Sequence, residues 1–457
     1  MATLDLDRLR QWTSVPAPRL VGGNRVQLLQ GGDALFPRMR AAIEGATREV
    51  WLATYIFHDD PGAIAMMRAL AAAARRGVAV HVVVDGFGSK GSLDTLRAEL
   101  LPAGVRLEIF RPLERWYSVL QPGQLRRLHQ KLCVCDAAGA AGGDGDSDGG
   151  NDGTSDGIIE GGTDAGSQFV AFVGGINLID DRLDLRHGWA ETPRLDFAVE
   201  LQGPLAASVH ATTRAMWVRS HLWQGWRDEV RQVVKSGAPV AETRAFIRRL
   251  RGRPEGVAIA AEAVADPVRA ALVVRDNLRQ RRAIERSYVD AIKAAEHSVD
   301  IAVPYFYPGR RFRRALRRAA RRGVQVRLLL QGKIDYRIAA LAARALYDEL
   351  RANGVRIWEY TPAYLHAKVA VVDGRWATVG SSNIDPLSLL LNLEANVVVE
   401  DAGFARDLQA AFDAAFAASA EVTGAPARAG WRGWLQRAAV AWMANAYLRV
   451  AGITGRY

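Results

Sequence analysis

Hydrophobic and polar positions along the chain follow two periods, one typical of strands and one typical of helices. In the first part of the chain, short apolar runs rich in β-branched residues alternate with segments of helical periodicity. These patterns predict, in order, a strand at 24–30, a helix at 33–46, a strand at 49–57, a helix at 62–76, a strand at 78–84, a helix at 92–101 and a strand at 105–110.

The same order of elements returns in the second half of the chain. The patterns there predict a strand at 272–274, a helix at 281–295, a strand at 299–306, a helix ending at 322, a strand at 324–330, a helix at 338–352 and a strand at 355–360. Strands that alternate with helices of this length are usually joined by βα crossovers. We therefore predict the α/β class, with two homologous α-β-α halves, each a mixed, mostly parallel sheet flanked by helices.

An apolar stretch with the pattern H-x-K-x4-D occurs once in each half. The copies read LHQKLCVCD at 128–136 and LHAKVAVVD at 365–373. The residues that define the motif are His129, Lys131 and Asp136 in the first copy, and His366, Lys368 and Asp373 in the second. A single His in a predicted buried strand would most often be structural, so it is the repeat that indicates a functional site.

The pairing of His and Lys suits an anionic, phosphorus-centred substrate. Strand side chains alternate, so residues two apart point to the same side. The His can act as nucleophile or proton carrier, and the Lys neutralises phosphate oxygens. Two of only six lysines in this arginine-rich chain lie in the motif, which favours a compact ammonium there. Asp136 and Asp373 have the opposite parity, and we interpret them as anchors for the turn after each strand.

A second strand follows each copy, FVGGIN at 172–177 and TVGSSN at 378–383. With these strands, the chain resembles the phospholipase D superfamily, whose members build one active site from two H-x-K-x4-D halves, each followed by G-[GS]-x-N. A narrower likeness to bacterial cardiolipin synthases lies in GSSNIDPLSL at 380–389 and LNLEAN at 391–396. The resemblance extends over residues 20–420 and implies that one active site lies at the interface of the two halves.

The resemblance also implies roles for individual residues. His129 is expected to be the nucleophile and His366 the general acid and base. The two lysines, with Asn177 and Asn383, are expected to bind the phosphoryl oxygens. An acidic residue after each G-[GS]-x-N orients the His of the opposite half, and the candidates are Asp196 and Glu394. This chemistry needs no metal or other cofactor, and the sequence shows no cluster of metal ligands.

The first half carries an insertion that the second lacks. The motif histidines are 237 positions apart but the asparagines only 206, so the first half has 31 additional residues between motif and second strand. This Gly- and Asp-rich segment, 137–168, has a composition typical of a disordered surface loop. Asp-Gly repeats can also ligate calcium, but the spacing matches no established calcium loop.

Composition describes a globular protein that attracts polyanions. The chain has 457 residues, of which 49% are hydrophobic and 24% charged, and its net charge is +11. Charge alone fits either nucleic acid or an anionic membrane. Cys133 and Cys135 are poorly placed to bridge each other, which indicates a reducing compartment. No signal peptide or transmembrane run is recognised, so the chain resembles the branch of cardiolipin synthases without N-terminal membrane helices.

These patterns divide the chain into four parts. We predict a first half at 1–203, a helical connector at 204–265, a second half at 266–424 and a Trp- and Arg-rich tail at 425–457. The apolar face of the tail, with Trp431, Trp434 and Trp442, suits a membrane interface or packing on the core equally well. Segment 310–322 has one apolar and one arginine face. We interpret it as a helix that covers the sheet, and a docking surface for anionic lipid headgroups is the alternative.

Two functions of different classes remain. The first is a phosphatidyltransferase that joins two phosphatidylglycerols into cardiolipin and releases glycerol, as a peripheral protein on the cytoplasmic side of a bacterial membrane. The second is a nuclease or phosphodiesterase of the same superfamily. The segment 385–396 and the Trp-rich tail favour the lipid enzyme and disfavour nucleic acid as a partner. Motifs leave open whether the acceptor is phosphatidylglycerol, phosphatidylethanolamine, glycerol or, in a hydrolase, water. They also leave the oligomeric state open.

Overall fold

The computed structural model describes most of both predicted halves. The described residues are 18–112, 126–136, 169–185, 187–236, 268–276, 280–333, 343–344, 346–390 and 392–423. The insertion at 137–168, the connector after 236 and the tail at 425–457 lie outside them, and so do the expectations stated for those segments. The division into four parts therefore remains a prediction.

The described strands and helices follow the predicted order. The strands are β1 (Val21–Gln30), β2 (Glu49–Thr54), β3 (Ala79–Asp85), β4 (Arg106–Phe110), β5 (Leu132–Asp136), β6 (Phe169–Gly174), β7 (Leu183–Asp184), β8 (Gly188–Trp189), β9 (Phe197–Gln202), β10 (Val268–Arg275), β11 (Ser298–Val303), β12 (Gln325–Gln331), β13 (Arg356–Tyr360), β14 (Val369–Val372), β15 (Trp376–Gly380), β16 (Glu394–Glu400) and β17 (Ala420–Glu421).

The helices are α1 (Gly31–Gly45), α2 (Pro61–Arg75), α3 (Leu93–Leu100), α4 (Pro204–Ser236), α5 (Ala283–Ala294), α6 (Arg310–Arg321), α7 (Tyr347–Arg351), α8 (Pro386–Leu390) and α9 (Ala402–Ala417). Helix α4 begins where the helical connector was predicted to begin, at Pro204, and it continues to Ser236. Of the helix expected at 338–352, the described residues contain α7 at its end.

Both halves contribute to one continuous sheet of fifteen strands. Its order is β17-β13-β12-β11-β14-β15-β16-β10-β1-β9-β6-β5-β2-β3-β4, and the antiparallel pair β1–β10 joins the halves. Outward from this pair, the strands of each half follow in the same relative order. The duplication read from the sequence is therefore a duplication in space as well.

The expectation of mostly parallel sheets is wrong. In the first half only β2–β3 and β3–β4 pair in parallel, whereas β5, β6, β9 and β1 form an antiparallel ladder that begins on β2. The second half repeats this arrangement. The βα crossovers end before each motif, and the motif strand then returns alongside its neighbour. In the second half the turn at Asp373–Gly374 makes this reversal visible in the sequence.

Helices cover both faces of the sheet. Helices α1, α2 and α3 bury one apolar cluster against the first half, and α5, α6 and α7 bury a second against the other half. A third cluster includes apolar residues of α4 and α9 and spans both halves, with Leu132 and Val134 from one motif strand and Val369 and Val371 from the other. Each motif strand is thus packed on both sides, which fixes the direction of the side chains at its beginning.

Equivalent helices end in the same way. The residue after the last turn is Gly77 for α2 and Gly323 for α6, and both glycines have φ of 93°, the left-handed conformation that favours Gly. Before each glycine an arginine side chain donates to carbonyl oxygens at the end of the adjacent helix, Arg76 to Glu44 and Arg322 to Ala295. These contacts fix α2 against α1 and α6 against α5.

Candidate active site

Each motif histidine is held by the backbone of the opposite half. The amide of His129 donates to the carbonyl oxygen of Leu393 at 3.0 Å, and the amide of Leu393 donates to that of Arg127 at 2.8 Å. In the other half, the amide of His366 donates to the carbonyl oxygen of Leu195 at 2.9 Å. These short parallel bridges place the segment before each candidate acid against the beginning of the other half's motif.

The side chains repeat this exchange between halves. Nδ1 of His129 lies 3.0 Å from Oε2 of Glu394, and Nδ1 of His366 lies 2.5 Å from Oδ2 of Asp196. A carboxylate on Nδ1 holds the proton there and leaves Nε2 available for chemistry. The structure therefore brings each histidine to the acidic residue that the sequence assigned to it, and each pair contains one residue from each half.

The two motif lysines are buried beside the histidines. The ammonium of Lys131 donates to the carbonyl oxygen of His129 at 2.7 Å, and that of Lys368 donates to the carbonyl oxygen of His366. Lys131 also lies over the ring of Tyr55, with Nζ 5.5 Å from the ring centroid. An ammonium has three donors, so the bond to one carbonyl leaves donors for phosphate oxygens.

Burial and mutual repulsion destabilise the positive charges of this site. Burial lowers the pKa of Lys131 to about 7. Repulsion from Lys368 adds to this shift, and attraction to Glu394 opposes it. Burial also lowers the pKa of Lys368 to about 8, against the attraction of Asp196 and Glu394. Burial and the two lysines lower the pKa of both histidines as well, that of His366 strongly. Such a site favours a bound anion, because the anion would raise these pKa values and restore the charged forms of the lysines and histidines.

The two carboxylates have different surroundings. Burial would raise the pKa of Glu394, but His129, Lys131 and the hydroxyl of Ser381 together lower it. Burial raises the pKa of Asp196 to about 6, and Lys368 only partly offsets this. Ser381 donates to the same Oε2 atom that binds His129, and it also accepts the amide of Ala395 at 3.1 Å. Glu394 is thus held as a carboxylate more firmly than Asp196.

The difference originates in the G-[GS]-x-N strands. Gly175 is the counterpart of Ser381, and a Cβ atom built on Gly175 would lie 2.3 Å from Oδ1 of Asp196. The shorter aspartate therefore occupies the space that a serine would need, while the longer Glu394 leaves room for the Ser381 hydroxyl. Gly175 therefore accompanies the shorter acid, Asp196, and Ser381 accompanies the longer one, Glu394.

The asparagines lie at the ends of the same strands. Both are buried, and Oδ1 of Asn177 accepts the amide of Ile56 at 3.3 Å. Oδ1 of Asn383 has no hydrogen-bond partner among the described residues. The two amides therefore lie at equivalent positions, but among the described residues only Oδ1 of Asn177 accepts a hydrogen bond.

Asp136 and Asp373 lie at the far ends of the motif strands. Asp136 accepts the amides of Thr47, Arg48 and Glu49, and also the hydroxyl of Thr47 at 2.6 Å. Asp373 accepts the equivalent amides at 296–298, between 2.8 and 2.9 Å. These carboxylates bind the chain that enters β2 and β11. Their position and these amide contacts fit the anchor role that the sequence predicts.

Several residues around the histidines have no functional signal in the sequence. Tyr55, whose ring centroid is 4.9 Å from that of His129, follows β2 and lies outside the repeated motifs. Ser381 stood inside the recognised motif without a role. Arg275, whose Cα pairs with that of Glu394 in the sheet, gave no signal because the chain is rich in arginine.

Comparison with known proteins gives one consistent family. The family described as "Cardiolipin synthase, PLD-like domain" matches residues 39–188 and 288–416. Cardiolipin synthase B of Escherichia coli K12 is 33% identical over 397 residues, which cover 85% of this chain and 79% of that protein. Cardiolipin synthase A of Pseudomonas fluorescens is 30% identical over 389 residues, covering 85% and 68%.

A solved structure has the same fold over its whole length. The phosphatidylserine synthase of Haemophilus influenzae Rd KW20 superposes with a TM-score of 0.60, covering 98% of both chains at 10% sequence identity. At this identity the likeness concerns the fold alone. Among the described residues, no helix has the length and apolar character needed to cross a membrane.

Proposed function

The chain belongs to the cardiolipin synthase family of phospholipase D-like proteins, and we propose that it joins two phosphatidylglycerol molecules into cardiolipin with release of glycerol. This makes it a phosphatidyltransferase. The observation that carries the proposal is the pair of His–carboxylate contacts, each made by residues of both halves, in a chain 33% identical to cardiolipin synthase B.

In the first step, His129 is the nucleophile. Glu394 holds the proton on Nδ1, so Nε2 attacks the phosphorus of the first phosphatidylglycerol and forms a P–N bond. The P–O bond to glycerol breaks, and His366 donates a proton to the departing oxygen. Glycerol leaves, and the phosphatidyl group remains on His129.

In the second step, the acceptor displaces the histidine. A hydroxyl of the second phosphatidylglycerol gives its proton to His366 and attacks the phosphorus, and the P–N bond breaks. Cardiolipin leaves with His129 neutral and His366 protonated again, so the cycle balances without any other reactant. Asp196 stabilises the protonated form of His366 at the beginning and end of the cycle.

Lys131 and Lys368 bind the phosphoryl oxygens during both steps, and Asn177 and Asn383 assist them. Charge on these oxygens grows in the transition state, and donors already fixed in a buried site stabilise it without reorganisation. The Nδ2 amide of each asparagine is the donor for these oxygens. Oδ1 of Asn383, which has no partner among the described residues, can accept from a hydroxyl of the substrate glycerol. Tyr55 packs on both His129 and Lys131 and limits their movement.

Access to lipid requires contact with a membrane surface. We assign this contact to the exposed face of α6, where Arg310, Arg311, Arg314 and Arg318 project into solvent. The equivalent helix α2 has only Arg68 and Arg75, so the basic face belongs to one half alone. Lipid anions attract such residues. The protein would then act as a peripheral protein on the cytoplasmic side of a bacterial membrane.

The test is incubation of the purified protein with phosphatidylglycerol vesicles, with lipid products and glycerol measured by mass spectrometry. Cardiolipin and glycerol in equal amounts, absent with His129→Ala and with His366→Ala, are expected. Phosphatidic acid as the sole product would instead identify a hydrolase. Turnover of single-stranded DNA without lipid turnover would identify a nuclease.

A further inference from the structure

A small hairpin formed by β7 and β8 lies between Asn177 and Asp196, and it has no counterpart among the described residues of the second half. Asn177 and Asp196 are 19 positions apart, whereas Asn383 and Glu394 are 11 positions apart. The shorter segment contains the short helix α8 in place of strands. The hairpin is therefore an addition to one half, inserted between two residues of the candidate active site.

The hairpin lies at the end of the sheet where both motif strands begin, called the histidine end below. Strands β2, β3 and β11 finish at this end, because β2 and β11 run antiparallel to the motif strands and β3 runs parallel to β2. Strand β6 also finishes there, and β9 begins there. The segment that joins β6 to β9, which contains the hairpin, therefore lies beside the motif histidines.

Two contacts hold the hairpin against the site. The ring of His187 stacks on the ring of Tyr364, two residues before His366, with the centroids 5.5 Å apart. The guanidinium of Arg194, two residues before Asp196, donates to a carbonyl oxygen of β7. The hairpin is thus attached next to both members of the pair formed by His366 and Asp196.

The hairpin exposes large apolar side chains to solvent. Trp189 is 62% exposed and Leu185 is 56% exposed. Leu183, which is partly buried, pairs with Trp189 across the hairpin, so these two side chains point to the same side. A single exposed apolar residue is ordinary in a soluble protein, but a group of them beside a binding site marks an interaction surface.

The remaining exposed apolar residues show how uneven their distribution is. Among the described residues, the large apolar side chains that are exposed are Leu20, Phe87, Leu101, Leu185 and Trp189. Phe87 follows β3, so it lies at the histidine end, whereas Leu20 and Leu101 precede β1 and β4 at the opposite end. Three of the five therefore lie at the end that carries the site.

Phe87 lies on the other side of the site from the hairpin. The guanidinium of Arg127, two residues before His129, is 5.0 Å from the ring centroid of Phe87. Phe87 is 51% exposed. The exposed apolar side chains therefore flank the site, with Phe87 next to the segment of His129 and the hairpin next to the segment of His366.

Positive charge is present at the same end of the sheet. Helix α6 follows β11, so its first residues lie at the histidine end. The amide of Tyr307, before this helix, donates to the carbonyl oxygen of Ile384, next to Asn383. Arg310 and Arg311 are exposed there. Exposed Trp and Leu together with arginines are typical of surfaces that lie in the interfacial layer of an anionic membrane.

We infer that the β7–β8 hairpin inserts Leu185 and Trp189 into the interfacial layer of an anionic phospholipid bilayer, next to the site. The inference rests on the proposed function, in which both substrates are lipids of the bilayer. Trp side chains prefer the level of the lipid headgroups, and the phosphodiester of phosphatidylglycerol lies at that level. A hairpin inserted beside His366 therefore brings the site to the phosphodiester while the acyl chains stay in the bilayer.

The hairpin and α6 contribute to membrane binding in different ways. The arginines of α6 attract lipid phosphates, and salt screens this attraction. The hairpin buries apolar surface, and this contribution does not depend on charge. At about 1 M salt the Debye length falls to about 3 Å, so the contribution of the hairpin remains when that of the arginines is largely lost.

The experiment measures the affinity for phosphatidylglycerol vesicles at low salt and at about 1 M salt. In Leu185→Ser/Trp189→Ser we expect the affinity to fall about ten- to hundredfold at both salt concentrations, because two large apolar side chains no longer leave water. Leu20→Ser/Leu101→Ser is the matched control. It removes exposed apolar side chains from the opposite end of the sheet and should leave the affinity unchanged.

A fluorescent label at the tip of the hairpin reports insertion directly. Both native cysteines are buried, so Leu185→Cys can be labelled selectively with nitrobenzoxadiazole. Its emission should shift to the blue with phosphatidylglycerol vesicles, and lipids that carry a nitroxide at the headgroup should quench it. The same label on Leu101→Cys should show neither effect.

Equal losses of affinity in the two double variants, or no loss in either, would overturn the inference. A dimer in sedimentation velocity that Leu185→Ser/Trp189→Ser abolishes would also overturn it, because the hairpin would then bind a second copy of the chain. Vesicle binding does not require turnover, which separates the inference from the proposed function. Insertion of the hairpin without cardiolipin formation would refute the proposed function alone, and cardiolipin formation without insertion would refute the docking of the hairpin alone.

Discussion

At the residue scale, both carboxylates bind Nδ1 of a motif histidine, but their own hydrogen-bond partners differ. Glu394 has the Ser381 hydroxyl on the oxygen that binds His129, whereas Asp196 has Gly175 at the equivalent position. The proposed nucleophile needs its Nδ1 proton held throughout, because Nε2 must stay unprotonated for attack. The better-supported acid is therefore on the histidine assigned as nucleophile.

Ser381→Ala should weaken catalysis in a pH-dependent way. Loss of the hydroxyl leaves Glu394 with one hydrogen bond fewer, so its pKa rises. The carboxylate is then protonated at a higher pH, and the acid limb of the kcat/KM profile should shift upward. We expect kcat to fall about tenfold, as is typical for partners of an active-site ligand. Ser92→Ala, which removes a buried hydroxyl bound to the carbonyl of Phe57, is the control, and an unchanged acid limb in Ser381→Ala would contradict the account.

The two lysines should take up protons when a phosphodiester binds. With pKa values of about 7 for Lys131 and about 8 for Lys368 in the empty site, they are partly neutral at pH 8. A bound anion favours the charged forms, so binding takes up protons and the affinity falls as pH rises from 7 to 9. Calorimetric titration with dihexanoyl phosphatidylglycerol in two buffers of different ionisation enthalpy measures this uptake. Identical heats in the two buffers would mean that the lysines are already fully charged.

At the element scale, the motif strands are fixed at both ends by polar contacts of different purpose. The first residues of each motif carry the His and Lys, and the last carries an Asp that accepts backbone amides of the adjacent strand. Strand parity predicted this division, although the His and Lys of each motif precede the strands, which begin at Leu132 and Val369. It could not identify the amides, because residues 47–49 and 296–298 are distant in sequence from the motifs.

Asp373→Asn should lower stability with little effect on turnover. Burial would raise the pKa of Asp373, but the amides of Glu296, Ser298 and His297 outweigh this and lower it. The carboxylate therefore stabilises the fold above its unfolded pKa of about 3.9, and this contribution is lost as pH falls through the lower folded value. Asn tolerates the φ of 51° at this position. The free energy of unfolding in urea at pH 7 should fall by about 1–2 kcal/mol, with kcat per folded molecule within about twofold of wild type; loss of turnover at unchanged stability would refute the anchor role.

The arginine face of α6 should control binding to anionic vesicles. Each exposed arginine near an anionic surface contributes about 1 kcal/mol. Changing Arg310, Arg311, Arg314 and Arg318 together to Gln should therefore weaken binding to phosphatidylglycerol vesicles at least about hundredfold in a sedimentation assay, with little effect on phosphatidylcholine vesicles. Changing the scattered exposed arginines Arg25, Arg68, Arg375 and Arg406 to Gln removes the same charge and should have much less effect. Equal effects of the two sets would assign the attraction to net charge.

At the scale of the whole molecule, the duplicated sequence forms one sheet and one site. The H-x-K-x4-D and G-[GS]-x-N positions were predictable because they repeat. The candidates Asp196 and Glu394 came from the resemblance to the phospholipase D superfamily, and each lies on the histidine of the opposite half. The position of Arg275 beside Glu394 was not predictable, because the two residues pair only through the register of β10 and β16. The antiparallel ladder was missed because regular βα alternation up to residue 110 masked the reversal that begins at β5.

The exchange of acids between halves means that neither half has a complete site. Each histidine takes both its backbone partner and its carboxylate from the other half. A movement of one half against the other would disturb both pairs at once. The continuous sheet through β1 and β10 and the apolar cluster shared by α4 and α9 resist such movement.

The central claim is that His129 carries the phosphatidyl group while His366 transfers protons within one site. The most direct test uses phosphatidyl-p-nitrophenol, whose leaving group departs without a proton. His366→Ala should release about one nitrophenolate per chain in a rapid burst. Protein quenched with detergent at alkaline pH, where the P–N bond is stable, should carry the phosphatidyl group on the peptide that contains His129. His129→Ala should give no burst. A burst from His129→Ala with the label at His366 would contradict the assignment, and no burst from either variant would contradict a covalent histidine intermediate altogether.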